Sequence, residues 1–309
     1  MGAIERVEYD EFGLFADNAS EFGLPYEGPP TVRREFVAVD GSRRLSALVW
    51  GTEPAELVFL HGGAQNAHTW DTVALALGRP LVAIDLPGHG HSDGGKEGQL
   101  DLADNAADVA VVIRELAPGA KAVIGMSLGG MTTIELARQA PELVRSMVLV
   151  DITPGVTAEK AKAITDFVNG PASFPSFEDL LKRTMEHNPT RSEASLRRGL
   201  LHNAEQREDG SWVWRYARHR PFDGAGSNAG EGEQRVTDRT DLWDVIAALT
   251  VPLLLVRGMR PQSVVDDGDE AELLRRLPSA RVVHVDEAGH SVQGDTPVEL
   301  ARIIDDFVP

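Results

Sequence analysis

The chain has 309 residues, and 30 Lys and Arg stand against 48 Asp and Glu for a formal net charge of −18. That length holds one large domain or two smaller ones with a full core, and 42% hydrophobic residues with 30 Gly and 18 Pro exclude collagen-like or wholly disordered chains. Charge of this sign repels phosphate backbones and anionic lipid, which argues against nucleic-acid and membrane-surface partners, and the absence of cysteine excludes disulfides, thiolate metal ligands and cysteine nucleophiles.

The first residues carry acids early and lack the apolar run of a signal peptide. Apolar stretches such as Val251–Val256 are too short to span a bilayer. The expectation is a soluble, cytoplasmic protein. Residues 1–30, acidic and broken by Gly and Pro, read as an N-terminal arm lying on the surface or partly disordered. From Phe36 to Trp50 apolar and polar residues alternate around Asp40-Gly41, a hairpin signal.

Short apolar runs follow at Leu57–Leu60, Leu81–Ile84, Ala122–Ile124, Met147–Val150, Leu253–Val256 and Val282–Val285. They suit strands buried on both faces of a parallel sheet. Helical patterns lie between them, around Trp70–Leu77, Ala103–Leu116, Leu128–Arg138, Glu270–Leu277 and Val298–Phe307, the last with Pro297 at its first turn and Thr296 as a cap. Strands alternating with helices predict an α/β fold with a mostly parallel sheet flanked by helices. Residues 153–244 break the alternation. Helical stretches there predict a helical insertion after the sixth strand, between core segments 31–152 and 245–309, with a Gly- and Asn-rich piece from Gly224 to Gly232.

The pattern Gly-x-Ser-x-Gly occurs twice, at Gly125–Gly129 and at Gly90–Gly94. The pattern alone is short enough to arise by chance. Ser127 directly follows an apolar strand-like run and directly precedes a helical one, so the turn lifts its hydroxyl clear of the sheet. Ser92 has neither flank and sits in a loop dense in Gly, His and Asp. Ser127 is therefore the candidate nucleophile, and a serine needs a base to take its proton. Of the nine histidines, His290 follows the last strand-like run and can reach the same edge of the sheet. His61 belongs with Gly62-Gly63. His89 and His91 have metal-ligand spacing but no obvious third ligand, so a structural role is expected and no metal or cofactor is assigned. His68, His187, His202, His219 and His284 stand in no motif.

Leu60-His61-Gly62-Gly63, the stretch from Asp85 to Asp93, Gly125-Met-Ser-Leu-Gly-Gly130 and Gly289-His290 occur in the order that resembles the α/β-hydrolase superfamily, in its serine-nucleophile branch with a helical cap. The resemblance runs over nearly the whole chain from residue 32, with 153–244 where that family carries its cap. It implies an oxyanion hole formed by the backbone N–H groups of Gly63 and Leu128, which would stabilise charge that develops only in the tetrahedral intermediate. It also implies an acid to orient the histidine. Most relatives place that acid past the strand ending here at Arg257, where this chain has Gln262 or Ser263, with Asp266 and Asp267 further on. Asp151 stands at the end of Met147–Val150, where some haloalkane dehalogenases of the same fold carry their acid. Asp151 is the expected third member of the triad, and Asp267 or Asp266 the alternative.

A serine at this place implies hydrolysis of a carboxylic ester or lactone of a small molecule through an acyl-enzyme. Similar serine members cleave carbon–carbon bonds of diketo acids or act as cofactor-free lyases, and others with the fold bind ligands without catalysis. Trp212, Trp214 and Tyr216, spaced by two, share one face of an extended segment and are candidates for a substrate wall or for a staple holding the insertion. Arg215, Arg218 and Arg220 lie among them.

Overall fold

The computed structural model describes residues 6–95, 101–216 and 241–309. An eight-stranded sheet forms the centre, built from β1 (Val32–Ala38), β2 (Arg44–Trp50), β3 (Leu57–Leu60), β4 (Leu81–Ile84), β5 (Ala122–Met126), β6 (Met147–Val150), β10 (Leu253–Gly258) and β11 (Arg281–Val285). Its order is β1-β2-β4-β3-β5-β6-β10-β11. The first two strands are an antiparallel hairpin, and β2 is antiparallel to β4. From β4 to β11 every pair is parallel. The hairpin turns where expected because Asp40 accepts the amides of Ser42 and Arg43, both at 2.8 Å.

The four-residue apolar runs are unbroken because both faces of the sheet are covered. Val58, Leu60, Leu149 and Leu255 point to one side, against α3 (Leu102–Leu116) and α4 (Leu128–Gln139). Phe59, Ile124, Val148 and Val256 point to the other, against α2 (Asp71–Leu77) and α11 (Pro297–Phe307). Thr296 stands at the start of α11 but makes no side-chain cap; its hydroxyl turns back to the Val292 carbonyl at 3.5 Å.

Three regions differ from the sequence reading. The N-terminal arm contains α1 (Phe15–Glu21), and Phe15 is buried beside Trp50, with ring centroids 5.0 Å apart. Seven residues carry too little periodicity to announce a helix, yet one aromatic anchors it. The segment after β6 is helical, with α5 (Lys162–Val168), α6 (Phe177–His187) and α7 (Glu193–Asn203), but it also holds a small antiparallel sheet. Its strands β7 (Ser173–Phe174), β8 (Ala204–Gln206) and β9 (Trp212–Trp214) pair in the order β7-β9-β8. Strands of two or three residues are too short to show a period of two. Finally, α8 (Asp241–Ala247) begins inside the range assigned to the insertion, but Leu242, Trp243 and Ile246 are buried in the main core. Among the described residues no helix is long and apolar enough to cross a membrane.

Candidate active site

Ser127 and Asp151 directly follow the parallel strands β5 and β6, and Gly63 and His290 lie in the loops after β3 and β11. Ser127 joins β5 to α4 with φ 50° and ψ −116°. A side-chain-bearing residue in this region costs roughly 1–3 kcal/mol and persists only where its surroundings enforce it. Here the enforcement is the closeness of α4 to the sheet. A Cβ on Gly129 would strike the carbonyls of Leu60 and His61, one on Gly125 the backbone of Gly129, and one on Gly130 the side chain of Ile152. Ser127 and Leu128 remain partly exposed, and the Leu128 amide belongs to the first turn of α4, which has no intrahelical acceptor for it.

The loop after β3 supplies the facing wall. His61 is fully buried; its Nδ1 donates to the Gly62 carbonyl at 2.7 Å and its Nε2 accepts the Leu86 amide at 2.9 Å. Burial lowers its pKa, in keeping with the neutral ring that this acceptor role needs. Ala64, at φ 61°, donates its amide to His89 Nε2 at 3.1 Å, and the Gly62 amide donates to Gln65 Oε1 at 3.2 Å. Gly63 lies exposed between these two fixed amides with open space where a side chain would be. His89 thus has the structural role expected of it. His91 gives its amide to Asp85 Oδ2 at 3.0 Å.

Asp151 extends the β6 ladder, its amide bonded to the Val256 carbonyl at 2.8 Å, and then turns sharply at φ 48°. Its carboxylate is fully buried and accepts four hydrogen bonds. Oδ1 takes the Gly258 amide at 3.0 Å and the Ser263 hydroxyl at 2.6 Å. Oδ2 takes the Val264 amide at 3.1 Å and Nδ1 of His290 at 2.9 Å. A carboxylate that accepts at every site cannot rotate, so the imidazole it holds is fixed in tautomer and direction.

The structure brings Asp151 to His290 and leaves the alternative acids elsewhere. Asp266 caps α9 (Asp267–Arg276) in a capping box with Asp269. The Asp267 side chain is 95% exposed and pairs with Arg257. Ser263, which stands where most relatives carry the acid, instead donates to the acid from that place. The sequence marked the position, but a hydroxyl serving a carboxylate on another strand leaves no local signal.

Ser92 is tied on both sides: its hydroxyl donates to the Asp85 carbonyl at 2.6 Å and accepts the Ser46 amide at 2.8 Å. His68, Asp71 and His202 gather with ligand atoms within 4.8 Å of one another. Both nitrogens of His68 already face carboxylates, Asp71 at 2.9 Å and Glu11 at 3.1 Å. The two rings stack at 3.8 Å with an 11° tilt, so their in-plane lone pairs run parallel and do not converge on one ion.

Residues 56–297 match the family model for the alpha/beta hydrolase fold. The chain belongs to this family. It is 45% identical to the esterase Rv0045c of Mycobacterium tuberculosis over 309 residues, covering 97% of this chain and 96% of that protein. A crystal structure of that esterase overlays with a TM-score of 0.80 at 43% identity, covering 98% of this chain and 99% of the other. The 2-(acetamidomethylene)succinate hydrolase of Mesorhizobium japonicum is 29% identical over 258 residues, with 82% of this chain and 87% of that protein covered.

In this hydrolase the segment after β6 faces the main core across a cavity of about 160 Å³. Ala64 and Gln65 of the glycine loop, Gln293 from the turn after His290, and Phe167, Arg191 and Trp214 of the insertion are on its wall. The three aromatics chosen from sequence therefore separate. Trp214 lines the cavity. Trp212 is buried with Leu180, Leu196 and Leu200 inside the insertion and does not line it. Tyr216 is buried with its ring centroid 6.3 Å from that of His89. Arg215 is engaged with Glu205 at 3.2 Å and with the Ala204 carbonyl. Arg218, His219, Arg220 and the 224–232 stretch lie outside the described residues.

Proposed function

We propose that this chain is a serine hydrolase that cleaves carboxylic esters or lactones through an acyl-enzyme intermediate, with Ser127 as nucleophile, His290 as general base and Asp151 as the orienting acid. The observation that carries the proposal is the 2.9 Å bond from His290 Nδ1 to a fully buried, four-coordinated Asp151, at the same sheet edge as a strained Ser127. With Nδ1 committed to the acid, Nε2 is the nitrogen available to the hydroxyl. Ser127 Oγ attacks the ester carbonyl carbon as its proton passes to His290. The amides of Gly63 and Leu128 receive the oxyanion, each worth roughly 3 kcal/mol. Collapse expels the alcohol, which takes the proton from His290, and a water molecule repeats the sequence to release the acid.

The esterase relative supports ester cleavage over carbon–carbon cleavage. Residues from about 153 to 240 act as a cap that shapes the cavity, supported by the contribution of Phe167, Arg191 and Trp214 to its wall. A small-molecule substrate in the cytoplasm, without nucleic-acid or membrane partners, belongs to the same reading; the net charge of −18 favours it.

A fluorophosphonate probe, read by intact mass and peptide mapping, tests the assignment. Wild type and Ser92→Ala gain one adduct on Ser127 and hydrolyse p-nitrophenyl esters. Ser127→Ala gains none and loses turnover while keeping its melting temperature. A labelled, active Ser127→Ala protein overturns it.

A further inference from the structure

The cavity wall carries an unusual charge for so acidic a chain. Among the described residues its formally charged side chains are Arg191 and Arg198, with His68 beside them, and no carboxylate lines it. Two of the three cations are already balanced. Arg198 is paired with Glu21 and bonded to Asn18 Oδ1 at 2.7 Å. His68 lies between Asp71 and Glu11.

Arg191 is only partly balanced: Asp295 and Glu21 act on it through space, but neither forms an ion pair with it. Its Nη2 donates to the Ser195 hydroxyl at 2.6 Å, its Nε is buried with no acceptor, and it forms no ion pair with a described carboxylate. Asp295, which lies nearby, is spent on other donors: Oδ1 accepts from the Thr190 hydroxyl at 2.9 Å and Oδ2 from the Gly289 amide at 2.8 Å. The guanidinium lies over Gly294, where a Cβ would come within 3.1 Å of both Cζ and Nη1. Gly294 is in α10 (Val292–Asp295), the short helix that follows His290. A cation from the insertion is thus seated against the histidine-bearing turn. A guanidinium partly withdrawn from water with no direct ion pair is stabilised by an anion that makes one. Its planar fork matches the paired oxygens of a carboxylate.

We propose that Arg191 determines specificity by receiving a free carboxylate of the substrate, so that the ester cleaved is the monoester of a dicarboxylic acid. This deepens the esterase reading and rests on it for the bond that is cleaved, but the carboxylate site stands on its own geometry. The ligand supplies the direct ion pair that the described carboxylates do not make, and the glycine at 294 leaves room for the fork.

The test compares monomethyl succinate, glutarate and adipate with the methyl esters of the equal-length monoacids, in a pH-stat, for wild type, Arg191→Gln and Arg191→Lys. Wild type is expected to prefer at least one charged ester tenfold or more in kcat/KM. Arg191→Gln should erase that preference through KM, the loss on each charged ester exceeding that on its neutral partner by at least fivefold. Arg191→Lys, with the charge but not the fork, should keep part of it. Equal losses on charged and neutral esters make Arg191 a structural residue and overturn the proposal, as does a wild type with no preference in all three pairs. Should either variant fail to fold, the wild-type preference decides. A turnover-free arm separates the two readings: free glutarate or adipate should shift the tryptophan fluorescence of wild type, where Trp214 lines the cavity, and not that of Arg191→Gln. Binding of this kind in a protein that hydrolyses no ester retains the carboxylate site and sinks the esterase reading; no binding and no preference sinks the site.

Discussion

Gly125–Gly129 and Gly90–Gly94 share one five-residue pattern and give their serines opposite fates. In the first, Gly125 and Gly129 are required because backbone passes within contact distance of both, and the serine between them is strained at φ 50°. In the second, Gly90 takes φ 55° against the Asp85 carboxylate, Gly94 faces open space, and Ser92 has its donor and acceptor roles filled by backbone. The pattern itself encodes only a tight turn. A strand arriving and a helix leaving make the serine an exposed group with its hydroxyl uncommitted to the backbone, whereas a loop returning onto a neighbouring strand consumes it.

The difference extends to the partners of each turn, and the largest effect should come there. Asp151 accepts four hydrogen bonds, one of them from His290. An asparagine in its place must turn an NH₂ group toward existing donors, whichever way it flips. Asp151→Asn is therefore expected to lower kcat on p-nitrophenyl esters by about 10³- to 10⁴-fold, the scale seen when a triad histidine loses its orienting acid. Asp267→Asn, at an exposed helix start, should change kcat by less than about twofold. The opposite ranking would move the acid to the start of α9.

Much of that edge was legible before any coordinates. Unbroken apolar runs gave the parallel strands, because burial on two faces leaves no alternation to hide them. Flanking elements separated Ser127 from Ser92. Three things were not legible, each for a physical reason. Ser263 and Asp151 meet across 112 residues, and a long-range hydrogen bond has no local signature. Trp212 and Trp214 show β9 as an extended segment, but its partners β7 and β8 have only two and three residues, too few to repeat a pattern. Arg191 looks like any surface arginine in sequence; only the fold shows it on a cavity wall with no ion pair to a described carboxylate.

A smaller effect, on stability, tests why the two turns differ. A methyl on Gly129 must displace the Leu60 and His61 carbonyls, and neither strand nor helix can yield without breaking its ladder. Gly129→Ala is expected to lose about 3 kcal/mol or more in urea unfolding, among the larger single-site losses. Gly94→Ala, with nothing within 4 Å of the new methyl, should stay within about 0.5 kcal/mol. Equal losses would mean that the glycines serve the same purpose in both turns.

The smallest expected effect concerns what holds the Ser92 loop in place. Ser92 bonds to the backbone of Asp85, whose carboxylate pairs with Arg34 at 2.8 Å. Arg34 also meets Glu11, and Glu11 meets His68, which leans on Asp71. Burial disfavours the charged form of His68, but Asp71 and Glu11 outweigh it and raise its pKa to about 9. An unfolded histidine titrates near about 6.5, so this stabilisation is complete below that pH and is lost as pH rises through about 9. Burial likewise opposes the charge of Glu11, and His68 and Arg34 prevail, lowering its pKa to about 2. Its contribution is complete above the unfolded glutamate value of about 4.3 and is lost as pH falls through about 2. His68 and Glu11 together therefore contribute most between about pH 4.3 and 6.5. Wild type should lose a few degrees of melting temperature between about pH 6.5 and 9.5, and His68→Gln, which never carries the charge, should start lower and lose less. If both proteins fall in parallel, the charge on His68 contributes nothing to the fold, and the Ser92 loop rests on its backbone hydrogen bonds alone.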